Sequence, residues 1–189
     1  KQVSEDFWAQ NRASKVDQVT DTVKGIIDQV RNEGDKALIE LAEKFDKVKL
    51  KSVAVTREEI EEAYEKVSQE IVEELENAAF NIQRFHMMQK PAGLWLSEVE
   101  PGITLGVKTT PLERVGCYIP GGRASYPSTV LMTVIPARVA GVDEVVMFTP
   151  APANPITLVA ADIAGVDEIY YSGGAQAIAA MALGTQTVE

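Results

Sequence analysis

Histidine and cysteine are almost absent: the 189 residues hold one of each, His86 and Cys117, beside only two tryptophans. A lone cysteine excludes an intrachain disulfide and agrees with a reducing, cytoplasmic compartment. One His and one distant Cys cannot build the usual N/S zinc site within this chain, so no metal-ligating set is expected in it. No run of 18 apolar residues occurs and no basic-then-apolar segment leads the sequence, so neither a membrane span nor a signal peptide is expected. Positive charge is scarce as well: 18 Lys and Arg against 28 Asp and Glu leave a net charge of −10 and a pI near 4.7. A chain this acidic repels phosphate backbones overall, which argues against a nucleic-acid partner. There is no initiator Met, and the pattern is still running at Glu189, as in a sequence cut at both ends.

What is present is ordinary for a globular protein, 46% hydrophobic and 24% charged residues. The length is near that of one domain and leaves room for two small ones. The charge is divided unevenly. Residues 1–90 carry 14 basic and 19 acidic side chains, whereas 91–189 carry 4 and 9. Solvated amphipathic helices followed by a buried sheet would produce that contrast, and the chain divides accordingly into a helical region, 1–100, and a nucleotide-binding region, 101–189.

The helical region follows 3–4 spacing. Val16, Val19, Val23, Ile26, Ile27 and Val30 form one stripe, with Ser14 as its N-cap and Gly34 just past its end. Ala37, Leu38, Leu41, Ala42 and Phe45 form a second. Thr56 and Glu59 have capping-box spacing ahead of Ile60, Ala63, Tyr64 and Val67. Ser68 restarts a helix that runs through Phe85 and ends before Pro91 and Gly93. The Glu-rich stretch 58–76 is a solvated helix face.

After residue 100 the period changes. Ile103, Leu105 and Val107 alternate as in a half-buried strand. Strands are expected near 114–119, 145–149 and 168–171, with helices over 127–140, 155–164 and 175–183. Ala140-Gly141-Val142-Asp143-Glu144 recurs as Ala164-Gly165-Val166-Asp167-Glu168, an offset of 24 that equals about one strand plus one helix. The fold class is therefore α/β: an N-terminal helical region, then an incomplete Rossmann-like parallel βαβαβα sheet. Ligands of such sheets bind beyond the carboxyl ends of the strands. Here those ends are Tyr118–Gly122, Phe148–Pro150 and Tyr171–Gly174.

The Gly121-Gly122 and Gly173-Gly174 turns let a backbone approach a pyrophosphate, with free N–H groups on the helix that follows; equally, they allow a tight strand-to-helix turn. No complete G-x-G-x-x-G fingerprint is present. Gln176, in the first turn of the last helix, can direct its amide into the crevice. Tyr118, at a strand end, can stack on a nucleotide or cap the core. Cys117 has no His or helix N-terminus nearby to make a thiolate and is expected in the core. His86 lacks an assignable carboxylate partner for base catalysis. No catalytic set is assigned within the chain.

The stretches Arg114–Ala124 and Ser128–Met132 resemble the start of the nucleotide-binding region of histidinol dehydrogenases. So do Gly173–Ala180 and Ala182–Thr185. Arg31–Leu38, Phe45-Asp46, Phe85-His86 and Gln89-Lys90 are similar to the same family, in order along essentially the whole chain. The resemblance implies NAD- and zinc-dependent oxidation of L-histidinol through L-histidinal to L-histidine by two hydride transfers. It places NAD contacts on Tyr118 and Gln176. It also implies that a third NAD contact, the zinc ligands and the acid/base pair lie beyond Glu189. A homodimer whose zinc sites use both subunits is implied by the same analogy. A related zinc/NAD dehydrogenase for another small alcohol, or a stand-alone nucleotide-binding module, shares the features of this segment. This chain alone is expected to be inactive.

Overall fold

Local sequence signals account for most of the helices. A computed structural model of the chain describes residues 5–121 and 124–188, with 5–18 given as backbone only. Helix α1 spans Glu5–Glu33 and α2 spans Asp35–Phe45. Gly34 turns the chain between them at φ +57°, and a Cβ there would lie 2.1 Å from the Gln186 amide oxygen. Only glycine suits that junction. Ser14 does not cap α1: the helix continues nine residues upstream to Glu5. The segment Glu5–Ala13 contains neither Pro nor Gly, so nothing in it stops helix propagation. The side chain of Val16 lies outside the described set.

Helix α3 (Arg57–Glu65) opens on a complete capping box. Thr56 Oγ1 accepts the Glu59 N–H at 3.3 Å, and Glu59 Oε2 accepts the Thr56 N–H at 2.9 Å. Helix α4 (Gln69–Gln89) begins after Ser68, as expected, although that hydroxyl makes no cap hydrogen bond.

Strand β1 (Leu94–Glu100) pairs antiparallel with β2 (Ile103–Lys108) through a tight turn at Pro101-Gly102. The strand expected at Ile103–Val107 is present, but its half-burial is not: every residue of both strands is exposed. The alternation is real, and no other element covers either face. β1 itself has no alternating pattern and follows directly on a helix, so it was not foreseen.

Three strands form the second sheet: β3 (Arg114–Tyr118), β4 (Glu144–Thr149) and β5 (Glu168–Tyr171), ordered β3-β4-β5 and all parallel. Between them run α5 (Pro127–Ala140) and α6 (Pro155–Ala164), and α7 (Gly174–Leu183) follows β5. This is the βαβαβα order expected from the 24-residue echo. Both copies of the echo end a helix on a left-handed glycine, Gly141 at φ +99° and Gly165 at φ +81°. Arg138 then ties the two junctions together. Its guanidinium donates to the carbonyls of Gly165 and Asp143, each at 2.8 Å at the nearest, and pairs with the Asp167 carboxylate. Asp167 in turn accepts the Val145 N–H at 2.7 Å, which fixes the start of β4.

The chain divides into two compact units, Lys1–Val53 with Ser172–Glu189, and Ala54–Tyr171. In the first, α1 packs on α2 and α7. Asp35 holds the C-terminal turn there by accepting hydrogen bonds from the hydroxyls of Thr185 and Thr187. In the second, α3–α6 and the parallel sheet enclose a core that includes Ile119, Val130, Val134, Val145, Met147 and Val159, each essentially inaccessible. Burying such side chains stabilises by about 1.5–3 kcal/mol each.

Candidate functional site

The carboxyl ends of the parallel strands carry the candidate site. A crevice of about 620 Å³ lies beyond β3 and β4, lined by Pro120, Gly121, Ser125, Thr149, Asn154 and Thr157 together with further prolines and alanines. No ionisable side chain is among its lining residues, in a chain of net charge −10. Thr149 and Thr157 are buried polar groups beside it. Gly122 and Arg123, the other half of the expected glycine turn, lie outside the described residues. Gly121 faces Pro150 closely: a Cβ at 121 would meet the Pro150 ring at 3.2 Å.

The N-terminus of α6 borders this crevice but is already satisfied. Pro155 has no N–H, Asn154 Oδ1 accepts from Ile156 at 3.1 Å, and the Asn154 carbonyl takes the next two N–H groups. It has little left to offer an anion. In α7 no side chain caps the helix start. That helix is therefore better suited to a negatively charged group.

Tyr118 stands at the end of β3, half-buried, with Phe148 of β4 as its register partner. Gln176 occupies the first turn of α7 and is 2% exposed. Its carboxamide folds back over Gly174, where a Cβ would sit 3.1 Å from Oε1, and Gly174 itself has φ +60°. Each of these two residues belongs to a different compact unit and is described within its own. Sequence reasoning missed Ser172. This serine follows β5, is 1% exposed, and its hydroxyl has no hydrogen-bond partner among the described residues. A small polar residue after a strand carries no signal of such isolation.

Cys117 sits in the core as expected, and burial pushes its thiol above the ordinary range. Such a thiol is a poor nucleophile at neutral pH. His86 stacks edge-on against Phe85, with ring centroids 5.4 Å apart, and borders a separate groove shared with Lys90, Thr109 and Pro136. No carboxylate lines that groove, so nothing there would orient the imidazole as a base. Among the described residues, no three His, Cys, Asp or Glu side chains gather where a metal ion could bind. None of the described helices is long and apolar enough to cross a membrane.

A family model described as histidinol dehydrogenase matches residues 9–189. The chain belongs to the histidinol dehydrogenase family. The histidinol dehydrogenase of Methanosarcina barkeri is 51% identical over 182 residues, covering 94% of this chain and 42% of that protein. The Methanothermobacter thermautotrophicus histidinol dehydrogenase is 54% identical over 178 residues, 92% of this chain and 41% of that protein. The crystal structure of histidinol dehydrogenase from Elizabethkingia anophelis superposes with a TM-score of 0.87 at 39% identity, over 90% of this chain and 40% of that one. The chain thus spans about two-fifths of the length of the histidinol dehydrogenases it matches. The agreement extends to the mixed architecture of helices followed by a small parallel sheet.

Proposed function

We propose that this chain is the N-terminal part of a cytoplasmic, homodimeric dehydrogenase that uses NAD and zinc to oxidise L-histidinol through L-histidinal to L-histidine. The observation that carries the reading is family membership along 181 residues, from 9 to 189, at about 50% identity to curated histidinol dehydrogenases. The residues present suit a dinucleotide. A neutral crevice beyond β3 and β4 can accept a base or ribose without opposing charge. The uncapped start of α7 can receive a phosphate, and the partnerless Ser172 hydroxyl beside it is a donor in need of an acceptor. In this reading Tyr118 stacks on the cofactor and Gln176 turns its amide toward it. Bound NAD supplies the hydride acceptor, and the protein supplies position.

Zinc is a different matter. The described residues of this chain do not form a ligand set for it. In this reading its ligands, like the acid/base pair, belong to the part of the family's length that this chain does not span, and no step is derived through the metal.

The test is kinetic, in the full-length polypeptide. Losing one aromatic stacking partner of a base costs roughly 1–3 kcal/mol. Tyr118→Ala should therefore raise the KM for NAD at least tenfold, while Tyr118→Phe keeps the ring and most of the affinity. If Tyr118→Ala shows an unchanged KM for NAD, Tyr118 is not a cofactor contact. If the full-length protein fails to reduce NAD with histidinol and zinc supplied, the activity itself is misassigned.

A further inference from the structure

Among the described residues, 12 of the 19 exposed large apolar side chains fall between Phe80 and Leu112. That is two-thirds of the exposed apolar bulk in 33 of 189 residues. The centre of this patch is the β1–β2 ribbon. Cross-strand pairing puts Trp95 beside Val107 and Ser97 beside Leu105 on one face, with Ile103 in line. Leu96 covers Gly106 on the other face, where a Cβ at 106 would meet Leu96 Cδ2 at 2.6 Å. Trp95, Leu96 and Leu105 are 52%, 63% and 58% exposed. A two-stranded ribbon open on both faces is marginal in water, and contiguous exposed apolar surface on this scale marks an interface.

We propose that the ribbon and the adjoining end of α4 form the surface through which this chain binds a second copy of itself. The inference deepens the homodimer of the preceding section and rests on it. Charge selects the partner. The segment 80–112 carries Arg84, Lys90 and Lys108 against Glu98 and Glu100, a net charge of +1 in a chain of −10. Everywhere else two copies repel; here they do not. Area agrees. Seven half-exposed apolar side chains on the ribbon, at roughly 100 Å² each, offer roughly 700 Å² per copy, close to the ~800 Å² per partner of a standard interface. Geometry agrees as well, because an antiparallel ribbon with two free edges complements itself about a two-fold axis.

The experiment uses the exposure of the side chains, which lets them be changed without opening the core. Mass is measured by light scattering for the wild-type chain and for Trp95→Ser/Leu105→Ser, with circular dichroism to confirm equal helix content. Wild type should run at twice the chain mass and the double variant at one chain mass. In parallel, Trp8→Phe leaves Trp95 as the sole indole. Its emission should shift to shorter wavelength, and its quenching by acrylamide should fall several-fold, as concentration rises through the dimerisation range. A wild type that remains monomeric overturns the dimer itself. A double variant that stays dimeric, or a dimer in which Trp95 is still freely quenched, overturns the ribbon as its interface while leaving the dimer standing. The quenching result decides the matter even if the double variant fails to fold.

Discussion

Arg138 shows how much one side chain can organise. It reaches from α5 to the carbonyls that end both copies of the 24-residue echo and to the carboxylate of Asp167. Arg138→Ala would leave those carbonyls without their donor and free the Asp167 carboxylate that also caps β4. Several half-buried acceptors are affected, so we expect a loss of about 2–3 kcal/mol, read as a lower urea midpoint with an unchanged slope. Arg138→Lys should recover only part of it, because an ammonium cannot span the fork. None of this was legible in the sequence, where Arg138 is one charge at the end of an apolar helix. Tyr118 and Cys117 were legible, since a residue in a short apolar run before Pro-Gly-Gly has few places to go. The isolation of Ser172 and the burial of Gln176 depend on side chains distant in sequence, and no local pattern announces them.

At the scale of elements, two serine or threonine caps invite comparison. Thr56 and Ser68 look alike in sequence, each ahead of an acidic amphipathic stretch, yet only Thr56 makes the reciprocal bonds of a capping box. Thr56→Ala should cost about 1 kcal/mol and Ser68→Ala close to nothing, both measured by denaturant unfolding. Strand positions in the parallel sheet were readable because buried runs such as Val145–Phe148 are bounded by Gly and Pro. β1 was not, because a strand exposed on both faces has no reason to alternate. The start of α1 was misplaced for a related reason: a good cap residue inside a run of helix formers caps nothing.

For the molecule as a whole, pH acts through three tyrosines. Burial, reinforced by a 2.9 Å hydrogen bond to Asp162, pushes the Tyr64 hydroxyl up to about 12. Burial also raises Tyr170 beside Glu168 and Tyr171 beside Glu59. The folded chain thus holds phenolic protons that the unfolded chain releases first, near pH 10. Stability from this source is complete below that pH and declines as pH rises toward 12. Urea midpoints at pH 9 and pH 11 should differ in that direction, and Tyr64→Phe should reduce the difference. Activity belongs to the same scale. With no metal-ligand cluster among its described residues, the 189-residue chain supplied with histidinol, NAD and zinc should produce no NADH over hours; zinc-dependent absorbance would return attention to His86 and Cys117. One feature of the chain path also governs how the protein is made. The unit containing α1 and α2 is completed by residues 172–189, and Asp35 waits for Thr185 and Thr187 some 150 positions later. At typical synthesis rates those partners leave the ribosome on the order of 10 s after α2 does. Throughout that interval the apolar stripe of Ala37, Leu38 and Leu41 lacks α7. The segment 54–171 can fold while still tethered, so the first helices to be synthesised are among the last to be completed.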